Sequence, residues 1–407
     1  MDSKSICRND SKNHYPKIAH IITDLNGFGG TEITLLRYLK ESNIPKVCHR
    51  VFVLKEIGTG ETIGAQMVAE DISVITFGQK HGTITPFAMI RLYKELKNFK
   101  PDVISGWLYH PSLLASIFSW GLKSRVIVVW HIRSLTYSNF LKTPGRFVVQ
   151  RVLALLSIVS RPVLASNSKA AMLEHASIGF DVRHNGFEVI PNGIDVGQYF
   201  PQREDRCAVR SELGIPDDGI LIGCVGRFVP EKGYPVLFEA LALVQQSLNQ
   251  DLAGRLYLLV AGNGTTAENH FFRKLAFADL TNSMVRLLGQ RADVPRLLRG
   301  LDIFVLPSIS EAFPNSLVEA MASSVACVAT DVGECCDIMP SQDFIVPPHD
   351  AQQLAKRLIA MIELNENERA GLGHKNRQTI IHSYSLSKMV SRFDIFFTKL
   401  KCQSSEN

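Results

Sequence analysis

Nowhere in the 407 residues is there an uninterrupted apolar run of about eighteen, so the sequence offers no candidate for a membrane-spanning helix. The longest apolar stretch, residues 147–160, contains Gln150 and Arg151 and lies between Arg146 and Arg161, a pattern that predicts a buried domain helix. The first fifteen residues are polar and of mixed charge, without the apolar core of a secretory signal. There is no C-x-x-C. The eight cysteines include one adjacent pair, Cys335-Cys336, and others such as Cys224 and Cys327 sit in apolar runs as small core residues. That usage fits neither a disulfide framework nor a zinc site, and the reducing cytosol is the expected compartment. Internal repeats, a heptad array and a His-Glu-x-x-His helix are also absent. The missing G-x-G-x-x-G fingerprint argues against a nicotinamide dehydrogenase.

What is present describes a globular α/β chain. It is 46% hydrophobic and 20% charged, and long enough for two domains with separate cores. The net charge of +5 is unevenly placed. Residues 1–190 hold 23 Lys and Arg against 14 Asp and Glu, whereas residues 191–407 hold 21 against 25. The basic first half suits an anionic partner, whether membrane surface, lipid phosphate or nucleic acid; uneven surface charge without a function is the competing account.

Apolar strand signals recur at residues 17–23, 50–54, 72–77, 102–105, 124–130 and 162–166, with helical patterns between them such as 87–99 and 169–176. A last strand from Phe187 ends in the Pro191-Asn192-Gly193 turn, and the charged stretch after it places a domain boundary within 193–216. The alternation then resumes with strands at 220–225, 256–261, 285–288, 303–306 and 325–330. Strands alternating with helices predict parallel sheets covered on both faces. An acidic helix over 350–368 reads as a solvated outer face, and an amphipathic helix runs from Tyr384 past Phe397.

The chemistry-bearing residues gather at strand ends. Glu311 follows the 303–306 strand, and Glu319 lies in a helix predicted over 316–323 with Ser310 or Asn315 as its N-cap. Both carboxylates thus sit near a positive helix end at the carboxyl edge of a parallel sheet, where open α/β folds bind ligands. Solvated loop and helix glutamates are the bland alternative. Arg227 and Lys232, in a glycine-bounded strand-to-helix loop, suit a diphosphate through two cations added to backbone N–H groups. The Gly262-Asn263-Gly264 turn lets backbone approach a base or ribose. In the first half, Gly29 and Gly30 form a tight turn at the first strand-to-helix crossing, and His131 and Arg133 follow the 124–130 strand on the same edge. A histidine there suits a sugar hydroxyl and an arginine an anionic group, with a structural loop histidine as the alternative.

Taken in order, Gly226-Arg227-Phe-Val-Pro-Glu-Lys232-Gly233, Val260-Ala-Gly-Asn-Gly264 and Glu311-Ala-Phe-Pro-Asn-Ser-Leu-Val-Glu319 resemble the retaining glycosyltransferases of family 4, and Gly29-Gly30-Thr31-Glu32 matches that family's first loop. The resemblance runs from about Lys17 to about Lys399. It implies the GT-B architecture: two Rossmann-like, doubly wound parallel-sheet domains facing across a cleft. Residues 1–195 would bind the acceptor, with a helix at about 381–400 packing back on them, and residues 196–380 the nucleotide-sugar donor. The catalytic set it implies is Arg227, Lys232, Glu311 and His131. Gly29, Gly30, His110, Arg133, Asn192, Gly226, Gly262, Asn263, Phe313, Pro314, Asn315, Ser316, Leu317 and Glu319 would bind substrate, with Glu319 on the ribose hydroxyls and Glu311 on the donor sugar. The sequence contains no Asp-x-Asp pair, so Arg227 and Lys232 replace the usual metal bridge, and neither metal nor cofactor is expected.

The implied reaction moves a sugar from a nucleoside-diphosphate sugar, UDP favoured over GDP, to a glycan or lipid-linked saccharide in cell-surface polysaccharide synthesis. The protein would be cytoplasmic, with peripheral contact to an anionic membrane and no nucleic-acid partner. A sugar-nucleotide epimerase of the same fold and a non-catalytic sugar-nucleotide-binding protein are the alternatives. The sequence departs from the family pattern at Ser324 and Ala326, where glycine and proline are usual.

Overall fold

Alternating side chains along the apolar runs bury both faces of two parallel sheets. The computed structural model describes residues 15–79, 85–122, 126–135, 144–182, 187–275 and 284–406; the polar segment 1–14 and residues 124 and 125 of the expected fifth strand lie outside these. The chain forms two units, Met1–Gly193 with Ser387–Asn407, and Ile194–Leu386.

Unit 1 holds β1 (Ile18–Ile22), β2 (His49–Lys55), β3 (Val74–Gln79), β4 (Val103–Trp107), β5 (Ile127–Ile132), β6 (Val163–Ser166) and β7 (Phe187–Val189), in the order β3-β2-β1-β4-β5-β6-β7. Among the described residues every strand pairing is parallel. The chain winds outward from β1 in one direction and from β4 in the other, so the switch point lies between these two strands. After α1 (Gly30–Glu41) and α2 (Ile63–Ala69), the chain builds α3 (Pro86–Phe99), α4 (Tyr109–Gly121), α5 (Pro144–Ser160) and α6 (Lys169–Ser177), a helical layer faced by Ala19, Ile21, Phe52, Ile104, Trp130 and Leu164. The alternate residues His20, Trp107 and His131 meet Tyr38 of the first helix, Gly30–Glu41, and Phe393 and Phe397 of the last, Leu386–Glu406.

Unit 2 repeats the plan with β8 (Ile220–Val225), β9 (Leu256–Ala261), β10 (Val285–Leu287), β11 (Ile303–Leu306), β12 (Ala326–Thr330) and β13 (Ile345–Val346), ordered β10-β9-β8-β11-β12-β13. Its switch point lies between β8 and β11. Ile220, Ile222, Ile303 and Val305 pack against the helices Tyr234–Ser247 and Ala351–Glu363, while Leu221, Phe304 and Leu306 face the helix Asn315–Ala322.

Four expectations need correction. β5 does not stop at Trp130 but continues through Ile132, because Trp107 of β4 pairs with His131 in register. The 147–160 segment is not buried all round: Leu153, Ala154 and Ser157 face the core while Val152, Leu155 and Val159 are exposed. The helix in 350–368 is more than a solvated face, since Leu354, Leu358 and Met361 are fully buried. The helix after β11 has Pro314 at its N-cap position with no side-chain cap, and Asn315 is its first residue.

Candidate functional site

Polar residues gather at both switch points. In unit 2 the loop leaving β8 turns at Gly233, whose φ of +64° is left-handed and whose added Cβ would lie 1.9 Å from the carbonyl oxygen of Pro307. The β8 and β11 loops are therefore in backbone contact, reinforced by the Ile309 N–H donating to the Glu231 carbonyl at 2.7 Å. This contact brings Lys232 and Glu311 together across 79 residues: the Lys232 ammonium donates to Glu311 Oε1 at 2.5 Å, and the Ser308 hydroxyl donates to the same oxygen at 2.8 Å. Lys232 also lies over Gly226, where a Cβ would sit 3.3 Å from its Cδ. Arg227 follows, with an exposed side chain.

The β9 loop closes on the same place. Gly262 has a φ of +152°, and a Cβ there would approach the Gly226 carbonyl oxygen to 1.9 Å. The carbonyl of the exposed Asn263 accepts from the Phe228 N–H at 2.8 Å. Past β11, Asn315 is exposed in the first turn of its helix, Ser316 Oγ is buried without a partner among the described residues, and Glu319 is half-buried one turn on. Phe313, Pro314 and Leu317 are also expected to bind substrate. Their side chains are buried, and the Leu317 N–H donates to the Pro314 carbonyl at 3.1 Å, so what they present to the site is backbone rather than side chain. A positive helix end, two cations and a carboxylate around close-packed glycine backbone form a site suited to an anionic group with attached hydroxyls.

The unit 1 edge is built differently. Arg133 is buried and donates to Asn192 Oδ1 and to the Thr34 hydroxyl, its guanidinium lying 5.4 Å from the centre of the Trp107 ring. Burial pushes its pKa down to about 9, with Glu32 opposing. Burial likewise raises the Glu32 carboxyl, helped by the charge of Asp24 and opposed by Arg133. Gly29 is the N-cap of the Gly30–Glu41 helix and Gly30 its first residue, two positions before Glu32. His110 is exposed in the first turn of α4.

His131 is not in a loop. It lies within β5, 1% exposed and stacked on Trp107 at 4.0 Å, with Nε2 hydrogen-bonded to the Ser105 hydroxyl at 2.8 Å. Burial, then the charge of Arg133, hold its pKa well below the ordinary histidine value. Sequence reasoning did not single out Thr34 as a partner of Arg133 or Ser308 as a partner of Glu311. A threonine in a helix and a serine after a proline carry no signal until the fold brings them to their partners.

Paired, doubly wound parallel sheets with these carboxyl-edge sites define the GT-B class. Residues 29–198 match the family described as Glycosyltransferase Family 4, and residues 205–379 match Glycosyl transferases group 1. The chain belongs to glycosyltransferase family 4. It is similar to a UDP-Gal:alpha-D-GlcNAc-diphosphoundecaprenol alpha-1,3-galactosyltransferase of Escherichia coli, 25% identical over 50% of this chain and 52% of that one. It is also similar to an N,N'-diacetylbacillosaminyl-diphospho-undecaprenol alpha-1,3-N-acetylgalactosaminyltransferase of Campylobacter jejuni, 24% identical over 72% and 77%. The chain spans about half the length of the Escherichia coli relative. Among solved structures, Anabaena Alr3699/HepE in complex with UDP superposes with a TM-score of 0.77, at 20% identity over 94% of this chain and 100% of that one.

Proposed function

We propose that this chain is a retaining, metal-independent glycosyltransferase. It transfers a sugar from a nucleoside-diphosphate sugar to a glycan or lipid-linked saccharide in cell-surface polysaccharide synthesis. The observation that carries the reading is the Lys232–Glu311 pair at the β8/β11 switch point, beside the exposed Arg227 and the start of the Asn315–Ala322 helix. As the sugar–phosphate bond breaks, negative charge grows on the diphosphate. Arg227, Lys232 and the helix end stabilise it by preorganised electrostatics. Glu319 takes the ribose hydroxyls and Glu311 the donor sugar. UDP is favoured because the Escherichia coli relative is described as using UDP-Gal and the Anabaena structure holds UDP. Unit 1 takes the acceptor along the edge carrying Gly29, Gly30, His110 and Arg133, with Asn192 and the buried His131 holding that edge in shape, and peripheral contact with an anionic membrane belongs to the same reading.

Titration calorimetry with UDP tests the division of labour. Glu319→Gln is expected to weaken UDP binding by removing an anionic acceptor, and Glu311→Gln to leave it nearly intact while damaging transfer. Equal losses in both variants would contradict the assignment. Turnover unaffected by EDTA is the expected outcome for the metal-free mechanism, and abolition by the chelator would overturn it.

A further inference from the structure

α5 carries Val148, Val152, Leu155 and Val159 at helical spacings of four, three and four residues, which puts all four on one side. They are 44–73% exposed, and Ile158 beside them is 52% exposed, while Leu153, Ala154 and Ser157 fill the opposite, core-facing side. A bare apolar stripe of this length marks an interaction surface.

Charge points to the occupant. The segment 86–182, which contains α3 to α6, holds 12 Lys and Arg against 4 Asp and Glu, whereas residues 1–85 hold 10 against 9. The excess positive charge of the first half therefore belongs to the part of the chain that builds this helical layer. Within the segment Arg151, Arg161 and Lys169 are exposed, and all four acidic residues are half-buried. Arg151 flanks the stripe on α5 itself and Arg161 follows its last turn. An apolar helix face bordered by cations matches the boundary between anionic headgroups and acyl chains.

Resting on the membrane-associated reading above, we infer that α5 lies in the plane of an anionic bilayer with its apolar stripe inserted. Attachment then depends on insertion as well as on surface charge. The protein carries its own reporter: Trp107 and Trp130 are buried, whereas Trp120 of α4 is 61% exposed one turn beyond Ser116, whose hydroxyl donates to that of Ser160 at the end of α5.

The test is flotation of the full chain with phosphatidylglycerol-containing and pure phosphatidylcholine vesicles at low and high salt, alongside the double variant Leu155→Gln/Val159→Gln. Both substitutions are at exposed positions, and far-UV circular dichroism and UDP titration check that the variant is folded. Expected are binding to the anionic vesicles that weakens in high salt, a blue shift of tryptophan emission on binding, and partitioning roughly tenfold or more weaker in the variant. Wild-type and variant partitioning that agree, or no binding of the wild type to anionic vesicles, would overturn the inference. So would concentration-dependent self-association that the variant loses, which assigns the stripe to a second copy. UDP binding that persists in those cases leaves the transferase reading standing, while vesicle binding without UDP binding sinks the transferase reading alone.

Discussion

At the unit 2 switch point the polar side chains are partly exposed and lie over backbone; at the unit 1 switch point they are buried and bonded to one another. Lys232 and Glu311 keep side-chain exposures of 21% and 12%, so a ligand can compete for them without unpacking the core. Arg133 and His131 are packed under Trp107 and tied to Asn192, Thr34 and Ser105. Replacing those bonds by ligand bonds would leave buried polar groups unpaired. The same topology has thus produced one edge poised to exchange partners and another whose polar groups mainly hold its shape. Substitutions at the first are expected to act on turnover, and at the second on stability.

The largest expected effect tests the open edge. Lys232→Ala should lower turnover roughly 100- to 1000-fold, about 2.7–4 kcal/mol, in a protein that remains folded. Because Lys232 and Glu311 share a bond, the double variant with Glu311→Gln should lose less than the product of the single losses. Strict multiplication of the two would show that they act separately and blur the contrast.

Next come the buried histidines of unit 1, read through pH. His20, His49 and His131 are buried in unit 1, and burial is the first cause of the depressed pKa of each, with His49 brought down to about 4. Between pH 6.5 and about 4 the unfolded chain binds protons at His49 that the folded chain does not. Stability is therefore complete above pH 6.5 and is lost as pH falls toward 4, by about 3 kcal/mol for His49 alone. All three tryptophans lie in unit 1, so their emission during denaturant unfolding follows that unit specifically. An unfolding midpoint that stays constant over this window would remove the idea that histidines are held neutral in the interior of unit 1.

A smaller effect probes the loop contact that makes the open edge. Gly233→Ala would place a methyl against the Pro307 carbonyl in left-handed backbone, costing roughly 1–3 kcal/mol and disturbing turnover with it. Unchanged melting and turnover together would show that this contact is dispensable. The smallest effect is favourable. Ser324 adopts a φ of +65°, the left-handed region that suits the glycine usual there, so the departure from the family pattern keeps the turn at the expense of strain. Ser324→Gly is expected to raise the stability of unit 2 by up to about 1 kcal/mol in thermal unfolding, and a loss of stability would show that the serine side chain contributes more than its backbone strain costs.

Both sheets were legible in the sequence because buried parallel strands are apolar without interruption, and Arg227, Lys232 and Glu311 were legible because each follows such a strand. Their pairing was not. Lys232 and Glu311 become neighbours only because β8 and β11 are adjacent in the sheet, an order that no local pattern states. His131 misled for a related reason. A histidine after an apolar run reads as the end of a strand, whereas here a stacked Trp107 and the Ser105 hydroxyl carry it into the core. The α5 stripe was hidden because a run rich in Val, Leu and Ile reads as core, and composition does not say which of its faces has a neighbour.

The last helix has a consequence for synthesis. Met389, Phe393 and Phe397 are buried with unit 1, where the two phenylalanines meet Tyr38, His20 and Trp107 and Met389 Sδ accepts from the Gly193 N–H at 3.1 Å. These residues are translated only after the whole of unit 2. On the ribosome the first unit to be made is therefore the last to be completed, and its histidine-lined face waits uncovered while its neighbour folds. Release of a chain shortened before residue 387 would leave that face open, so a defect after unit 2 is felt in unit 1.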